Sequence, residues 1–289
     1  MAAGLEGDAL SRLTSVAREH GLDLDGALAG DDATLRATEV AQPALVAVEI
    51  ALLAHLPATL EVVGVAGHSV GEYAAAVAAG ALRAEDAMAL VVARGSAMAK
   101  MRSGAMSALL GLNEQVVAAL CAEASARGAG VVVVANVNAP GQVVVSGDSG
   151  AVAIAEELAR ERGCRRSVRL NVSGAFHSPL MRAAAAEYAP TLRSAPIRDA
   201  RTPVVCNVDG AAVTAAGEVR SRLEQQLVSP VRWTDCVEGL VRLGAEVLVE
   251  VGPGAVLTGL AKRIVPGVRA VAAGTPDAVR GLAGALVRS

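Results

Sequence analysis

Aromatic residues are scarce in this sequence of 289 residues, which contains one Trp, two Tyr and one Phe. Hydrophobic residues still make up 53% of the chain, so a large core can form, packed mainly from Ala, Val and Leu. Because aromatic residues are so few, one that lies inside a motif is unlikely to be routine core filling. Phe176, the single phenylalanine, lies in such a motif.

Several functions are disfavoured by what the sequence lacks. The formal charge of −3 provides no basic surface for nucleic acid or for an anionic membrane. The four cysteines have no Cys-x-x-Cys spacing, which argues against a zinc site and against a disulfide framework. No uninterrupted apolar run reaches the roughly 18–20 residues of a membrane span, and the N-terminus does not resemble a signal peptide. We expect a cytoplasmic protein without a metal ion.

The pattern of hydrophobic residues predicts an α/β fold with an inserted subdomain. Between residues 105 and 172 it predicts the order β-α-β-β-α-β, with strands at 105–110, 131–136, 142–146 and 165–172 and helices at 114–126 and 150–162. This order is typical of a ferredoxin-like subdomain. Residues 1–104 and 173–289, where helices and short strands alternate, are expected to form the large subdomain. A helix is predicted over 42–56, with Pro43 in its first turn.

The segment Gly67-His-Ser-Val-Gly71 follows a short apolar run at 61–66 and precedes a predicted helix over 70–79. A Gly-x-Ser-x-Gly turn in this context is typical of a nucleophile elbow, which lifts the serine hydroxyl clear of the sheet. Backbone N–H groups at the helix N-terminus, that of Val70 first, can stabilise an oxyanion. A Cβ at either flanking glycine is expected to crowd the turn. The alternative is an ordinary turn in which Ser69 only caps the helix.

A serine nucleophile needs a base, and the chain has four histidines. His20 and His55 fall on predicted helices. His68 adjoins Ser69 at a sharp turn, where neighbouring side chains point apart. His177 remains, between a predicted strand and a predicted helix, although it could instead cap that helix. Hydrolases with this elbow place an acid between serine and histidine in the chain; none is apparent here, so a dyad is plausible.

Arg94 lies on a predicted helix over 84–100 among apolar neighbours at helical spacing, and no carboxylate lies within helical reach of it. A guanidinium in such surroundings needs a partner from elsewhere in the fold. One interpretation is a buried ion pair, or a side chain that reaches the surface. The other is that Arg94 receives a substrate carboxylate in bidentate fashion, which would make the acyl group a dicarboxylic half-thioester.

These features together resemble the malonyl-CoA:acyl carrier protein transacylase family and the related acyltransferase domains of polyketide synthases. The resemblance runs from about Gln42 to about Arg263, and its many motifs in family order make it far more specific than the elbow alone. In chain order they are Gln42-Pro-Ala-Leu, Gly67-His-Ser-Val-Gly-Glu-Tyr73, Arg94-Gly95, Asn138-Ala-Pro-Gly-Gln142, Gly174-Ala-Phe-His-Ser178, Gln226-Leu-Val-Ser-Pro-Val231 and Glu250-Val-Gly-Pro-Gly254.

The resemblance implies an α/β-hydrolase-like core with a parallel sheet and a ferredoxin-like insertion. It implies ping-pong transfer, in which Ser69 takes malonyl from malonyl-CoA and passes it to the phosphopantetheine thiol of an acyl carrier protein, with His177 as the base. It also implies that the backbone carbonyl of Gln226 orients His177 and that Arg94 holds the malonyl carboxylate. The chemistry implies no cofactor of the enzyme's own, and we expect a monomer.

Two further residues receive roles only through this resemblance. Asn138 is expected to help shape the substrate pocket. Phe176 precedes the histidine, where malonyl-selective polyketide members of the family carry Ala-Phe-His and methylmalonyl-selective ones tend to carry Ala-Ser-His. A bulky ring there is expected to favour malonyl, although one methyl group is worth only about 1–3 kcal/mol of discrimination.

The sequence departs from the family at one point. Family members open with a strand that leads into Phe-Pro-Gly-Gln-Gly-Ser-Gln, whose glutamine borders the oxyanion hole, and this sequence contains no such segment. Three alternatives to fatty-acid synthesis therefore stay open: an acyltransferase that serves a polyketide synthase in trans, a thioesterase-like serine hydrolase, and an N-terminally truncated, inactive relative.

Overall fold

The computed structural model describes residue 5, residues 8–30 and residues 34–287. Its helices are α1 Asp8–Glu19, α2 Leu24–Ala29, α3 Thr38–Leu53, α4 Gly71–Ala78, α5 Ala84–Ala99, α6 Glu114–Ala126, α7 Ser149–Glu161, α8 Arg182–Ser194, α9 Ala216–Gln226, α10 Trp233–Arg242, α11 Val256–Ile264, α12 Pro276–Arg280 and α13 Leu282–Val287. Its strands are β1 Ala105–Leu110, β2 Val132–Ala139, β3 Gln142–Gly147, β4 Arg166–Arg169, β5 Val204–Val205, β6 Ala212–Val213, β7 Val247–Val251 and β8 Arg269–Ala273.

Strands β1 to β4 form one sheet in the order β2-β3-β1-β4, and every neighbouring pair is antiparallel. Strands β2 and β3 are joined by Pro140 and Gly141, and Gly141 has a φ of 70°, a backbone conformation that favours glycine. The register of β2 against β3 shifts between Val134 and Asn136. Such an irregularity changes the direction in which the following side chains point, and here it precedes a residue of the active-site cavity.

The two faces of this sheet pack against different partners, because successive side chains of a strand point to opposite faces. Leu109, Val143 and Val145 share a buried cluster with the apolar sides of α6 and α7. Met106 and Val144 belong to the opposite face, where they pack with Leu170 and Phe176. One face therefore carries the helices, and the other is turned toward the region of Phe176.

The rest of the chain is largely helical around a second, larger core. Buried residues of α1, α3, α4, α5, α8 and α9 form one continuous cluster there. Its strand pairs are short: β5 with β6 is antiparallel, and β7 with β8 is parallel. Val65 pairs with Val204 of β5 in a single parallel bridge, held by two backbone hydrogen bonds of 2.9 and 2.8 Å. This bridge places the end of the 61–66 segment beside β5.

Several predicted elements differ from the observed ones. The predicted strand at 61–66 is reduced to the bridge at Val65, since the only described strand beside it, β5, is two residues long. The predicted strand at 165–172 shortens to β4. Helix α3 begins at Thr38, so Pro43 lies in its interior rather than in its first turn. None of the helices that the structure describes combines the length and the apolar composition needed to cross a bilayer.

Candidate active site

The segment from Gly67 to Gly71 forms a sharp turn between the Val65 bridge and α4. Ser69 has a φ of 52°, in the left-handed region that non-glycine residues rarely adopt. The turn is closed by hydrogen bonds from Gly71 N–H to His68 O, at 3.0 Å, and from Glu72 N–H to Ser69 O, at 3.1 Å. The conformation is that expected of a nucleophile elbow, with Ser69 at the N-terminus of the helix.

The two glycines of this turn are not equivalent. A Cβ on Gly67 would lie 2.0 Å from the carbonyl carbon and oxygen of Gly71, which no structure tolerates. A Cβ on Gly71 would meet nothing closer than 3.9 Å, at the carboxylate of Glu49. The expectation that both flanks are crowded is therefore correct for Gly67 and wrong for Gly71, because the tight side of the turn is the strand side.

Val70 supplies the free backbone donor of the elbow. Within the described residues its N–H has no hydrogen-bond acceptor, whereas the N–H of Ser69 is already bound to the side chain of Asn207 at 2.7 Å. A free N–H directly after the nucleophile, at a helix N-terminus, is suitably placed to stabilise an oxyanion.

His177 lies against Ser69 and is held from behind by a backbone carbonyl. Its Nε2 is 2.7 Å from Ser69 Oγ, and its Nδ1 is 3.0 Å from the carbonyl oxygen of Gln226. A carbonyl can only accept, so Nδ1 carries the proton and Nε2 is left free to accept one from the serine hydroxyl. His177 has a φ of 56°, a second left-handed residue beside the first. Strain of this kind clusters at functional sites.

Burial keeps His177 neutral. Its surroundings lower the pKa of His177 to about 3, chiefly through loss of solvation and then through the nearby charge of Arg94. A histidine with such a pKa is unprotonated across the physiological range and is available as a base. A carboxylate is not required to select its tautomer, because the carbonyl of Gln226 does so.

Arg94 on α5 is buried, and only neutral groups contact its guanidinium. It donates to the side-chain oxygens of Gln42 and of Gln226, the latter at 2.8 Å, and more weakly to Ser69 Oγ at 3.4 Å. Its Nε has no hydrogen-bond partner, and no carboxylate in the described part of the chain forms an ion pair with it. Burial lowers the pKa of Arg94, yet a guanidinium stays charged in proteins. The result is a buried cation without a counterion.

Glu72 and Gln226 connect the elbow to Arg94. The amide nitrogen of Gln226 donates to Ser69 O at 2.9 Å and to the Glu72 carboxylate, while its oxygen accepts from Arg94. Burial raises the pKa of Glu72 to about 7, against the opposing effect of its hydrogen bonds. Gln226 therefore uses its backbone to hold the base and its side chain to hold both the nucleophile turn and the cation.

A cavity of about 230 Å³ opens onto these groups. It is bounded by the elbow and His177, by α5, and by the face of the four-stranded sheet that carries no helices. The residues that line it are Thr38, Gln42, His68, Ser69, Val70, Arg94, Met98, Met106, Asn136, Leu170, Val172, Phe176 and His177. Its wall is mostly apolar apart from the dyad, Arg94 and two amides, which suits a small acyl chain that carries one charge.

The structure brings together Ser69, Val70, Arg94, Phe176 and His177 at this cavity. The backbone of Gln226 lies where the resemblance implied. Asn138 does not line the cavity: its Oδ1 is 2.9 Å from Nε2 of His68, and the ring of His68 packs edge-on against Trp233. The amide in the cavity wall belongs instead to Asn136, because the two residues point to the same face of β2 but only Asn136 precedes the end of the strand.

Sequence reasoning missed Gln42, Glu72, Asn136 and Asn207, which are all buried. Gln42 and Glu72 occur within motifs of the resemblance, so a polar residue at an otherwise apolar position was a visible signal. Asn207 had a weaker signal, as an amide directly after the short apolar strand β5. Its contact with Ser69 joins residues 138 positions apart and could not be read from local pattern.

Comparison with known proteins agrees with this geometry. The family model described as "Acyl transferase domain" matches residues 7–282. A malonyl CoA-acyl carrier protein transacylase of Bacillus subtilis is 38% identical over 254 residues, covering 86% of this chain and 80% of the relative.

Two solved structures are similar along almost the whole chain. An acyl carrier protein S-malonyltransferase of Vibrio cholerae superposes with a TM-score of 0.90 at 38% identity, covering 98% of this chain and 94% of that one. A malonyl-transacylase in complex with a type II PKS acyl-carrier protein superposes with a TM-score of 0.89 at 34% identity, covering 97% and 93%.

Proposed function

The chain belongs to the acyl transferase family, and from this premise we propose that it transfers malonyl from malonyl-CoA to the phosphopantetheine thiol of an acyl carrier protein. Fatty-acid synthesis is the proposed pathway. The observation that carries the proposal is the position of Ser69 Oγ, 2.7 Å from an unprotonated histidine nitrogen and 3.4 Å from a buried guanidinium that lacks a counterion. The names of the similar proteins support the same donor and acceptor.

In the first half of the reaction, Ser69 Oγ attacks the thioester carbonyl and its proton passes to His177 Nε2. The carbonyl oxygen becomes an oxyanion that the N–H of Val70 can stabilise. When the tetrahedral intermediate collapses, the C–S bond breaks and His177 returns the proton to the leaving thiolate of CoA. The products are free CoA and a malonyl ester on Ser69.

The second half repeats these steps with the carrier thiol as nucleophile. His177 accepts the thiol proton, sulfur attacks the serine ester, and the C–O bond breaks. Ser69 takes back its proton from His177, and the enzyme is restored without any cofactor of its own. Because each half uses the same base, the fixed tautomer of His177 serves both directions of proton transfer.

The charge of the substrate is matched to Arg94. Malonyl carries a free carboxylate, and the guanidinium can donate to it by exchanging the neutral amide oxygens that it now contacts. Phe176 lines the same cavity, where its ring occupies space that a branched acyl group would need. We therefore assign malonyl rather than methylmalonyl as the preferred group. Asn138 is reassigned from substrate contact to orientation of His68.

The description of the fold in family terms is part of the proposal. We assign residues 105–172 to a ferredoxin-like small subdomain, supported by its antiparallel sheet order and by a buried cluster of its own. Residues 1–104 and 173–289 would form the α/β-hydrolase-like large subdomain. A cytoplasmic location and a monomeric state stay predictions from the sequence.

A polyketide carrier protein is the second candidate acceptor. One structural relative was solved with a type II PKS acyl-carrier protein, and it covers this chain as completely as the others do. Hydrolysis to free malonate is less well supported, because the site has no acidic third member and presents a cation to the acyl group.

The proposal is tested by product analysis with malonyl-CoA in the presence and absence of a phosphopantetheinylated carrier protein. We expect malonyl-carrier to accumulate and free malonate to stay at the background level of a Ser69→Ala control. Carrier proteins of fatty-acid and polyketide type, compared at equal concentration, identify the preferred acceptor. Free malonate formed at the same rate without any carrier would contradict transfer and favour a hydrolase.

A further inference from the structure

Asn207 follows β5 and is completely buried, at 0% exposure. Its side chain bonds the backbone of the elbow on both sides of the nucleophile: Oδ1 accepts from Ser69 N–H at 2.7 Å, and Nδ2 donates to Gly67 O at 2.8 Å. An amide is the side chain that offers an acceptor and a donor at this spacing. Both short bonds lie within the turn that contains the left-handed Ser69.

The backbone of Asn207 is also fixed from two directions. Its N–H donates to Glu72 Oε1 at 2.7 Å, in the first turn of α4. Its carbonyl accepts from Arg232 N–H at 2.8 Å, directly before α10. The side chain is therefore attached to a support that cannot shift without disturbing both helices, and this is what a residue needs in order to impose a conformation on another segment.

The bond to Ser69 N–H has a chemical consequence. It occupies the one elbow N–H that could compete with Val70 N–H for an oxyanion, and it orients the peptide that carries the nucleophile. A left-handed serine is unfavourable in isolation and persists only where its surroundings determine it. The two bonds of Asn207 are the side-chain contacts that act on both peptides flanking the turn.

We propose that Asn207 is a positioning residue that holds the elbow so that Ser69 Oγ points at His177 and Val70 N–H points at the developing oxyanion. This inference rests on the proposed acyl transfer at Ser69. Asn207 does not line the cavity, so it acts on the rate of reaction at bound substrate and not on substrate affinity.

The first test is Asn207→Ala, measured as kcat and KM for malonyl transfer. We expect kcat to fall about 10²-fold, since displacing a reacting atom by about 1 Å costs a factor of this size, while KM for malonyl-CoA changes less than about threefold. Asn113→Ala is the matched control: Asn113 caps α6, with Oδ1 accepting from Val116 N–H at 2.9 Å, far from the elbow in the chain. The control is expected to lose some stability and to keep its kcat.

The second test is Asn207→Asp, which separates positioning from simple support of the fold. A protonated carboxyl offers the acceptor and the donor of the amide, whereas a carboxylate would turn an oxygen toward the carbonyl of Gly67 and lie close to Glu72 and to the Cys236 thiol. The ratio of variant to wild-type kcat should therefore fall as pH rises, while thermal stability is followed at each pH in parallel. Asn113→Asp should show a flat ratio.

Labelling of Ser69 by a fluorophosphonate probe keeps this test independent of the substrate. The probe reacts with an activated serine whether or not malonyl is the natural group, so failure of malonyl transfer with normal labelling would refute the proposed function alone. We expect labelling to slow in Asn207→Ala as much as kcat does. Unchanged labelling and kcat in a folded Asn207→Ala, or a pH-independent ratio for Asn207→Asp, would overturn the assignment of Asn207.

Discussion

Arg94 shows how a single side chain defines the charge of a substrate. The guanidinium is buried, contacts two amide oxygens and leaves Nε without a partner. Burying a cation without a counterion is costly, and such a cost persists where a ligand supplies the missing charge. Gln42 and Gln226 hold the guanidinium in place until a carboxylate arrives, and neutral partners are readily exchanged for a charged one.

Removing this cation should abolish the preference for a charged acyl group. In Arg94→Ala we expect kcat/KM for malonyl-CoA to fall by about 10²-fold or more, since each hydrogen bond to a charged group contributes about 1.5–3 kcal/mol. The value for acetyl-CoA, which has no carboxylate, should change far less. Arg83→Ala is the control, because Arg83 is exposed and pairs with Asp86 just before the same helix. Equal losses for both substrates in Arg94→Ala would contradict the carboxylate site.

Glu49 on α3 is a buried carboxyl that the reaction does not use. One of its oxygens has no hydrogen-bond partner, and burial, followed by the charge of Glu250, raises the pKa of Glu49 to about 8. Glu250 is itself held as an acceptor by the backbone N–H groups of Leu257 and Thr258 at the start of α11. The folded protein therefore keeps a proton on Glu49 that the unfolded chain releases near pH 4.5.

This difference makes stability depend on pH in a defined direction. Because the folded state holds the proton more tightly, the contribution of Glu49 is complete below about pH 4.5 and is lost as pH rises toward 8. In Glu49→Gln we expect Tm to be close to the wild-type value at pH 5 and higher by roughly 5 °C at pH 8.5. Thermal unfolding of Glu157→Gln, an exposed position on α7, provides the control. A Tm difference that did not grow with pH would disprove the assignment.

At the scale of elements, the turn from the Val65 bridge into α4 is shaped by one glycine and not by two. Gly67 is in contact with the backbone of Gly71 and Glu72, at distances that exclude any side chain. Gly71 faces the Glu49 carboxylate across ordinary van der Waals distance. The motif Gly-x-Ser-x-Gly therefore contains one position that the geometry requires and one that it does not.

Alanine at these two positions should have opposite outcomes. Gly67→Ala forces the turn open, because its Cβ would lie 2.0 Å from backbone atoms, and we expect loss of Ser69 reactivity together with lower stability. Gly71→Ala should retain most of the activity and could gain slightly in stability as a helix position. Purified yield, Tm and fluorophosphonate labelling measure both effects. Comparable damage in the two variants would refute this description of the turn.

Local elements were predictable where their pattern was local. Strand β1 and helix α6 occur at the predicted residues, because alternation and helical periodicity are properties of the segments themselves. The predicted strand at 61–66 was wrong in extent, because strand formation depends on a partner elsewhere in the chain. Helix α10 was overlooked although Trp233, Cys236 and Val237 are buried at helical spacing, so that signal was present.

The site divided in the same way. Ser69 and His177 could be proposed from motif and elimination, and Arg94 from its apolar neighbours, whereas the carbonyl of Gln226 came only with the family resemblance. Asn207 and the exchange of Asn138 for Asn136 depend on contacts across the fold. A polar side chain in an apolar run indicates that a partner exists, but its identity becomes visible only in three dimensions.

At the scale of the whole molecule, the cavity lies where two packing units meet. The four-stranded sheet buries one face under α6 and α7 and contributes Met106, Asn136 and Leu170 from its other face. The larger core contributes the elbow and Arg94. Neither unit alone encloses the acyl group, so the arrangement explains why a sequence with a weak motif at each position still specifies a single site.

The most direct measurement of this account is the intact mass of the protein after brief exposure to malonyl-CoA without a carrier protein. The account predicts one added malonyl group, located on Ser69 by peptide mapping, that disappears when a carrier protein with a free phosphopantetheine thiol is supplied. Ser69→Ala should remain unmodified, and the adduct should form slowly in His177→Ala. An unmodified wild-type protein, or a malonyl group mapped to a residue other than Ser69, would contradict the central claim.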